Sequence, residues 1–214
     1  SAKDLLAIFQ KAGDKEGEAA ALTLAANAYI VGGEPLAAVR AARQALQVFI
    51  EKDNKLAEMP VLEALMYANI VKKDLDEAQR AATEMAKIAM FSGKKKSAAY
   101  ALLSVADVSL ASGTPAGAVK AAEEAAEICK GEGDKEAQAT CLCGVYKVHR
   151  TLSKPASARK VAMDILKLVT GTKPMEAAAQ LMIAEAQPAS KDSLAAAKAA
   201  VELFREAGEK GGEA

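Results

Sequence analysis

The sequence predicts an all-α solenoid of stacked helical hairpins, and three observations carry that prediction: a fixed register near forty residues, an alanine-rich composition almost empty of aromatics, and regular Gly and Pro punctuation. Ala38, Ala78, Ala118, Ala158 and Ala196 lie 40, 40, 40 and 38 residues apart, and Ala42, Ala82, Ala122, Ala162 and Ala200 repeat that spacing. A period of this length marks supersecondary units that bury their faces on one another rather than in a central core. Aromatic residues make up 4% of the chain, with no Trp, while the apolar fraction is 51% and rich in Ala, the strongest helix former. The segment from Ile8 to Ala19 is echoed from Leu203 to Ala214. The array is therefore expected to start and stop part-way through a repeat.

The elements follow in order. A leading half-repeat occupies 1–12, and repeats follow at about 13–52, 53–93, 94–133, 134–172 and 173–214, giving five helix pairs in one continuous array. In the first, Gly13-Asp14-Lys15 opens a helix to Val31, residues 32–34 break it, and Pro35 starts a second helix to Glu51, because Gly stops helices and Pro is tolerated in their first turn. Equivalent breaks stand at Lys73-Asp74, Ser112 to Pro115, Ser153 to Pro155 and Pro188 to Asp192. Pro60 falls inside the second unit's first helix, and its missing donor predicts a late start or a kinked first turn. First helices are apolar nearly all round; second helices are amphipathic, with Arg40, Arg43, Gln44 and Gln47 on one face. Ala38 and Ala42, four residues apart on one face, predict a smooth strip along which helices approach at the near end of the usual ~8–10 Å. Arg40, Arg80, Lys120, Lys160 and Lys198 form a basic row, and Gln44, Glu84, Glu124, Asp164 and Glu202 a mostly acidic row one turn on. Pairing between them is expected to serve solubility and stacking.

Composition narrows the function. Lys plus Arg and Asp plus Glu number 28 each, so no overall field draws a polyanion, and aromatics for base stacking are scarce; nucleic acid is a poor partner. The longest apolar stretch, Ala98 to Ala111, is broken by Ser104, Asp107 and Ser109 and falls short of the roughly 20 residues of a membrane span. Ser1-Ala2-Lys3-Asp4 is not a signal peptide. Cys129, Cys141 and Cys143 form no disulfide framework and are expected as small buried thiols, which points to the cytoplasm or another reducing compartment. Cys141 and Cys143 point about 200° apart on one helix, with His149 two turns away, so no metal site is expected. His149 stands where the first repeat has Tyr29 and is expected at the core or groove edge. No phosphate loop, zinc motif or nucleophile–histidine spacing occurs, so neither an enzyme nor a cofactor is expected.

The first unit reads Gly13-Asp14-Lys15, Gly17-Glu18-Ala19, Leu22, Ala28-Tyr29, Gly33, Ala38 and Ala45. This resembles the tetratricopeptide repeat, in its forty-residue variety, over essentially the whole chain. Small residues at the family's contact position recur as Ala26, Ala106 and Ala184, while Met66 and Tyr146 depart from it. The resemblance implies a right-handed superhelix whose first helices line a concave groove. Its groove positions carry over as Thr23, Asn27 and Ile30; Glu63, Tyr67 and Ile70; Leu103, Asp107 and Leu110; and Cys143, Lys147 and Arg150. Of the clamp with which family members hold a chaperone's terminal carboxylate, only Asn27, Lys147 and Arg150 resemble a part; the latter two also suit an acidic peptide. The expected partner is a protein or peptide seated in that groove, the alternative being a structural or regulatory arm of a larger protein. Apolar Leu181, Met182, Ile183, Leu194, Val201, Leu203 and Phe204 near the C-terminus lead to an expectation of end-to-end self-association.

Overall fold

The computed structural model describes residues 2–187 and 190–208; Ser1, the Pro188-Ala189 break and the Glu209–Ala214 echo lie outside the described residues. Eleven helices occur among them: α1 Ala2–Ala12, α2 Lys15–Val31, α3 Pro35–Glu51, α4 Lys55–Lys72, α5 Leu75–Phe91, α6 Lys95–Ala111, α7 Pro115–Gly131, α8 Lys135–Thr151, α9 Pro155–Leu168, α10 Lys173–Ala186 and α11 Lys191–Ala207. A leading helix and five pairs match the reading from sequence, and no strand occurs among the described residues. The chain divides into two compact units, Ser1–Thr114 and Pro115–Ala214. In the first, each helix from α1 to α6 packs on the next, and α2 also touches α4; in the second, α7 to α11 follow each other likewise.

The eight short turns between α1 and α9 each carry one left-handed residue. Gly13, Gly33, Gly93, Gly113 and Gly133 fill five of these places, but Asp53, Lys73 and Ser153 fill three, at φ of 51°, 65° and 52°. Acidic or amide N-caps then start most first helices: Asp14 accepts from the Gly17 amide at 3.0 Å, Asn54 from Ala57 at 3.2 Å and Asp134 from Ala137 at 3.0 Å. Position 94 in that series is Lys94, and α6 has no side-chain cap.

Pro60 neither delays nor interrupts α4, which starts at Lys55 on the Asn54 cap. Proline at the sixth helical position removes a single donor, and Pro60 is solvent-exposed, so the lost bond lies on the wet side of the helix.

The alanine register makes the contact strip. Ala38, Ala78, Ala118, Ala158, Ala42, Ala82, Ala122 and Ala162 are completely inaccessible, and Ala196 and Ala200 nearly so. Larger side chains fill the space beside them: Val61, Leu62, Leu65, Met66, Met85 and Ile88 in the first unit, Tyr146, Ile165, Val169 and Ile183 in the second. Near the C-terminus Ile183 is buried, whereas Leu181 and Leu194 are exposed.

Two expectations are corrected. The charged rows do not join each other as drawn: Lys87 reaches Glu84 at 3.2 Å, Lys167 reaches Asp164 at 2.8 Å, and Arg80 reaches Glu77. In these three pairs the cation meets the carboxylate three residues before it, on the neighbouring turn of its own helix. Cys129 and Cys141 are joined as a disulfide, leaving Cys143 as the free cysteine. The turn after α7 folds α8 back, setting the two Cα atoms 6.6 Å apart, within the bridgeable range. The odd cysteine count therefore no longer argues for a reducing compartment.

Candidate binding row

One register position differs from the alanines in kind. Asn27 on α2, Tyr67 on α4, Asp107 on α6 and Lys147 on α8 stand forty residues apart, and all four are exposed. At the same place in four first helices the chain presents an amide, a phenol, a carboxylate and an ammonium. Ile30, Ile70 and Leu110, one turn on, are half-buried, as are Leu103 and Cys143 one turn back, while Glu63 and Arg150 are exposed. Thr23 is buried, and its hydroxyl donates to the Ala19 carbonyl at 2.9 Å, so it offers a ligand little. In the first unit α2 packs on α4, bringing the helices of Asn27 and Tyr67 together.

In the second unit Lys147 stands beside a structured floor. The buried Tyr146 hydroxyl donates to the Met182 carbonyl at 2.9 Å, fixing α8 against α10. Arg150 lies 5.9 Å from the Tyr146 ring centre and pairs with Glu185. Tyr146, Lys147, Arg150 and Thr151 line a shallow recess of about 310 Å³. Glu185 balances the Arg150 charge, so the basic pair read from sequence is partly neutralised within the protein. Burial raises the Tyr146 pKa while Arg150 opposes the rise, and burial also raises that of the Cys143 thiol. His149 is half-buried with Nδ1 unsatisfied; burial first, and Lys154 second, hold its pKa below the ordinary value.

A second recess, of about 600 Å³, lies in the first unit between the start of α4 and the end of α5. Lys55, Leu56, Glu84, Lys87, Ile88, Phe91 and Ser92 line it. Sequence reasoning passed over Leu56 and Phe91, although aligning the chain's own repeats finds them. It also missed the Tyr146–Met182 bond, whose partners are 36 residues apart without a motif. No described helix is long and apolar enough to cross a membrane.

The sequence matches no family model and no curated protein. Solved structures do match. The nearly identical TPR-like repeats of a Podosopora anserina protein assigned as a kinesin light chain align with 88% of this chain and 95% of their own, at 14% identity and a TM-score of 0.73. A signal-transduction ATPase from Pyrococcus horikoshii with a tetratricopeptide repeat sensor aligns over 92% of this chain and 31% of its own, at 18% identity and a TM-score of 0.75. The fold is tetratricopeptide-like. A Rap protein, solved in complex with competence and sporulation factor, shares this tetratricopeptide-like arrangement at a TM-score of 0.64 and 12% identity, over 94% of this chain and 62% of its own.

Proposed function

We propose that the chain is a non-enzymatic interaction scaffold that takes an extended segment or helix of a protein partner along its first helices. The observation that carries this reading is the contrast between two register positions. The Ala38 and Ala42 series never changes and is buried, whereas the Asn27, Tyr67, Asp107 and Lys147 series changes chemistry at every step and is exposed. A constant frame presenting varied polar groups beside apolar neighbours suits recognition of side chains on a partner. The Rap protein's complex lends support, since a related fold there holds a factor.

The test is crosslinking in native extract followed by mass spectrometry, comparing wild type with Asn27→Ala, Tyr67→Ala, Asp107→Ala and Lys147→Ala combined. A protein recovered with wild type and lost with the variant supports the reading; equal recovery of every partner sinks it. A second reading, a repeat arm within a larger protein, draws on the signal-transduction ATPase, in which a comparable array makes up 31% of the chain. That reading expects a native polypeptide far longer than 214 residues on a denaturing gel.

A further inference from the structure

We propose that two copies of this chain associate by helix exchange, the end of α11 in one molecule taking the place of α1 on α2 of another. The contact uses Gly17 and Ala21 of α2 and none of the row from Asn27 to Lys147, so it stands or falls separately from the proposed function.

The chain's own repeats define the contact. Second helices end on a left-handed residue, Gly13, Asp53, Gly93, Gly133 and Gly208, and the fourth residue before each is Phe9, Phe49, Ala89, Cys129 and Phe204. Eight residues after the first four of these turns stand Ala21, Val61, Ala101 and Cys141, all buried. Cys129 and Cys141, with Cα atoms 6.6 Å apart and their sulfurs joined, show that these two positions face each other. The end of a second helix therefore meets the following first helix at this point. Phe49 is buried there, whereas Phe204 is only half-buried and keeps an apolar face for a further helix.

The sequence says which helix fits α2. The pattern Phe-x-x-Ala-Gly, from Phe9 to Gly13, occurs in the chain once more, from Phe204 to Gly208; the second helices between them end differently. Gly13 and Gly208 also share a conformation, with φ of 68° and 74°. The seat on α2 is cut for this ending. Gly17 stands where other first helices carry Ala57, Ser97 and Ala137, so the frame tolerates a Cβ there, and glycine inside a helix is destabilising relative to alanine. The Phe9 ring fills the space left, since a Cβ at Gly17 would meet its Cδ1 at 2.2 Å. Phe204 brings the same ring at the same distance from the same kind of turn. The helix it replaces is lightly held: no described residue of α1 is buried, and Leu5 and Ile8 are 40% and 59% exposed. α11 holds its own hairpin through buried Ser193, Ala196 and Ala200, so its Phe204 face can join a second molecule without unfolding the first. One helix leaves α2 and an equivalent one arrives, and exchange of like elements is a low-cost route to association.

Sedimentation velocity over a concentration series compares wild type with Phe204→Ala and Phe9→Ala, each verified as folded by circular dichroism; Ala89 shows that the frame accepts alanine at this register position. Exchange requires opposite signs from one chemical change. Phe204→Ala should weaken association about tenfold or more, whereas Phe9→Ala, which loosens the helix to be displaced, should strengthen it. A monomer at every concentration overturns the proposal, as does a shift of the same sign, or no shift, in both variants. The register is read by crosslinking in a Cys129→Ala/Cys141→Ala/Cys143→Thr background, which installs residues that sister repeats carry at these positions. Ala21→Cys protein mixed with Phe204→Cys protein and exposed to glutathione disulfide should give a bridge between the two kinds of molecule, as the equivalent positions do in α7 and α8. Bridges between like molecules in preference to that mixed pair overturn it.

Discussion

The ring of Phe9 on α1 lies across Gly17 on α2 so closely that a Cβ added at Gly17 meets Phe9 Cδ1 at 2.2 Å. Gly17→Ala therefore has two opposed effects. Alanine gains about 1 kcal/mol of helix propensity in α2, while α1 must shift or detach. Global unfolding is expected to change little, and amide exchange in α1 to accelerate. Unchanged α1 protection contradicts this arrangement.

The three non-glycine turn residues in left-handed backbone give a stabilising prediction. Lys73→Gly and Ser153→Gly place the residue that Gly33 and Gly113 supply at equivalent turns. Relief of about 1 kcal/mol each is expected as a higher urea midpoint, because a Cβ is disfavoured at positive φ. A lower midpoint in both variants refutes it.

The inaccessible alanines admit no growth. Ala82→Leu is expected to cost about 1–3 kcal/mol through overpacking, whereas Ala20→Leu, at an exposed site on α2, stays within about 0.5 kcal/mol of wild type. Similar melting of the two variants removes the strip from the stabilising frame.

Thiol counting checks the cysteine pairing. Denatured without reductant, the protein should yield the single Cys143 thiol, and three after reduction. Because the bridge spans 12 residues, its removal by Cys129→Ala/Cys141→Ala should cost about 2–4 kcal/mol under oxidising conditions. Three thiols before reduction exclude the bridge.

His149 ties stability to pH. Its pKa is depressed in the folded state, so the unfolded chain takes up the proton more readily. Its contribution is complete above the unfolded value of 6.5 and is lost as pH falls through the lower folded one. His149→Tyr, which installs the residue found at Tyr29, is expected to flatten the decline in stability between about pH 7 and 5. Parallel pH profiles for the two proteins assign the decline elsewhere.

Much of the fold was legible because helix punctuation and a buried alanine are local, repeated signals. Pro35 and Pro115 each begin a helix where the sequence places one, and the Ala38 series lies where its spacing put it. Pro60 misled because its cost depends on which side of α4 faces water, a property of packing. The Cys129–Cys141 pairing was hidden because attention to two cysteines on one helix overlooked the turn that folds α8 back onto α7. For the candidate row, it was the groove positions implied by the tetratricopeptide resemblance that picked out Asn27, Tyr67, Asp107 and Lys147. Their neighbour Thr23 turns inward to its own helix, and Arg150 finds Glu185, a partner no spacing announces.

Within each unit, helices mostly touch the helix next in the chain. Loop closure during folding is therefore short-range almost everywhere, and such topologies fold fast and nucleate at more than one place. A substitution that ruins one hairpin is expected to unfasten that hairpin and its immediate neighbours first. Under a pulling force the chain should lengthen in several small steps rather than one, so its resistance to load is graded, hairpin by hairpin.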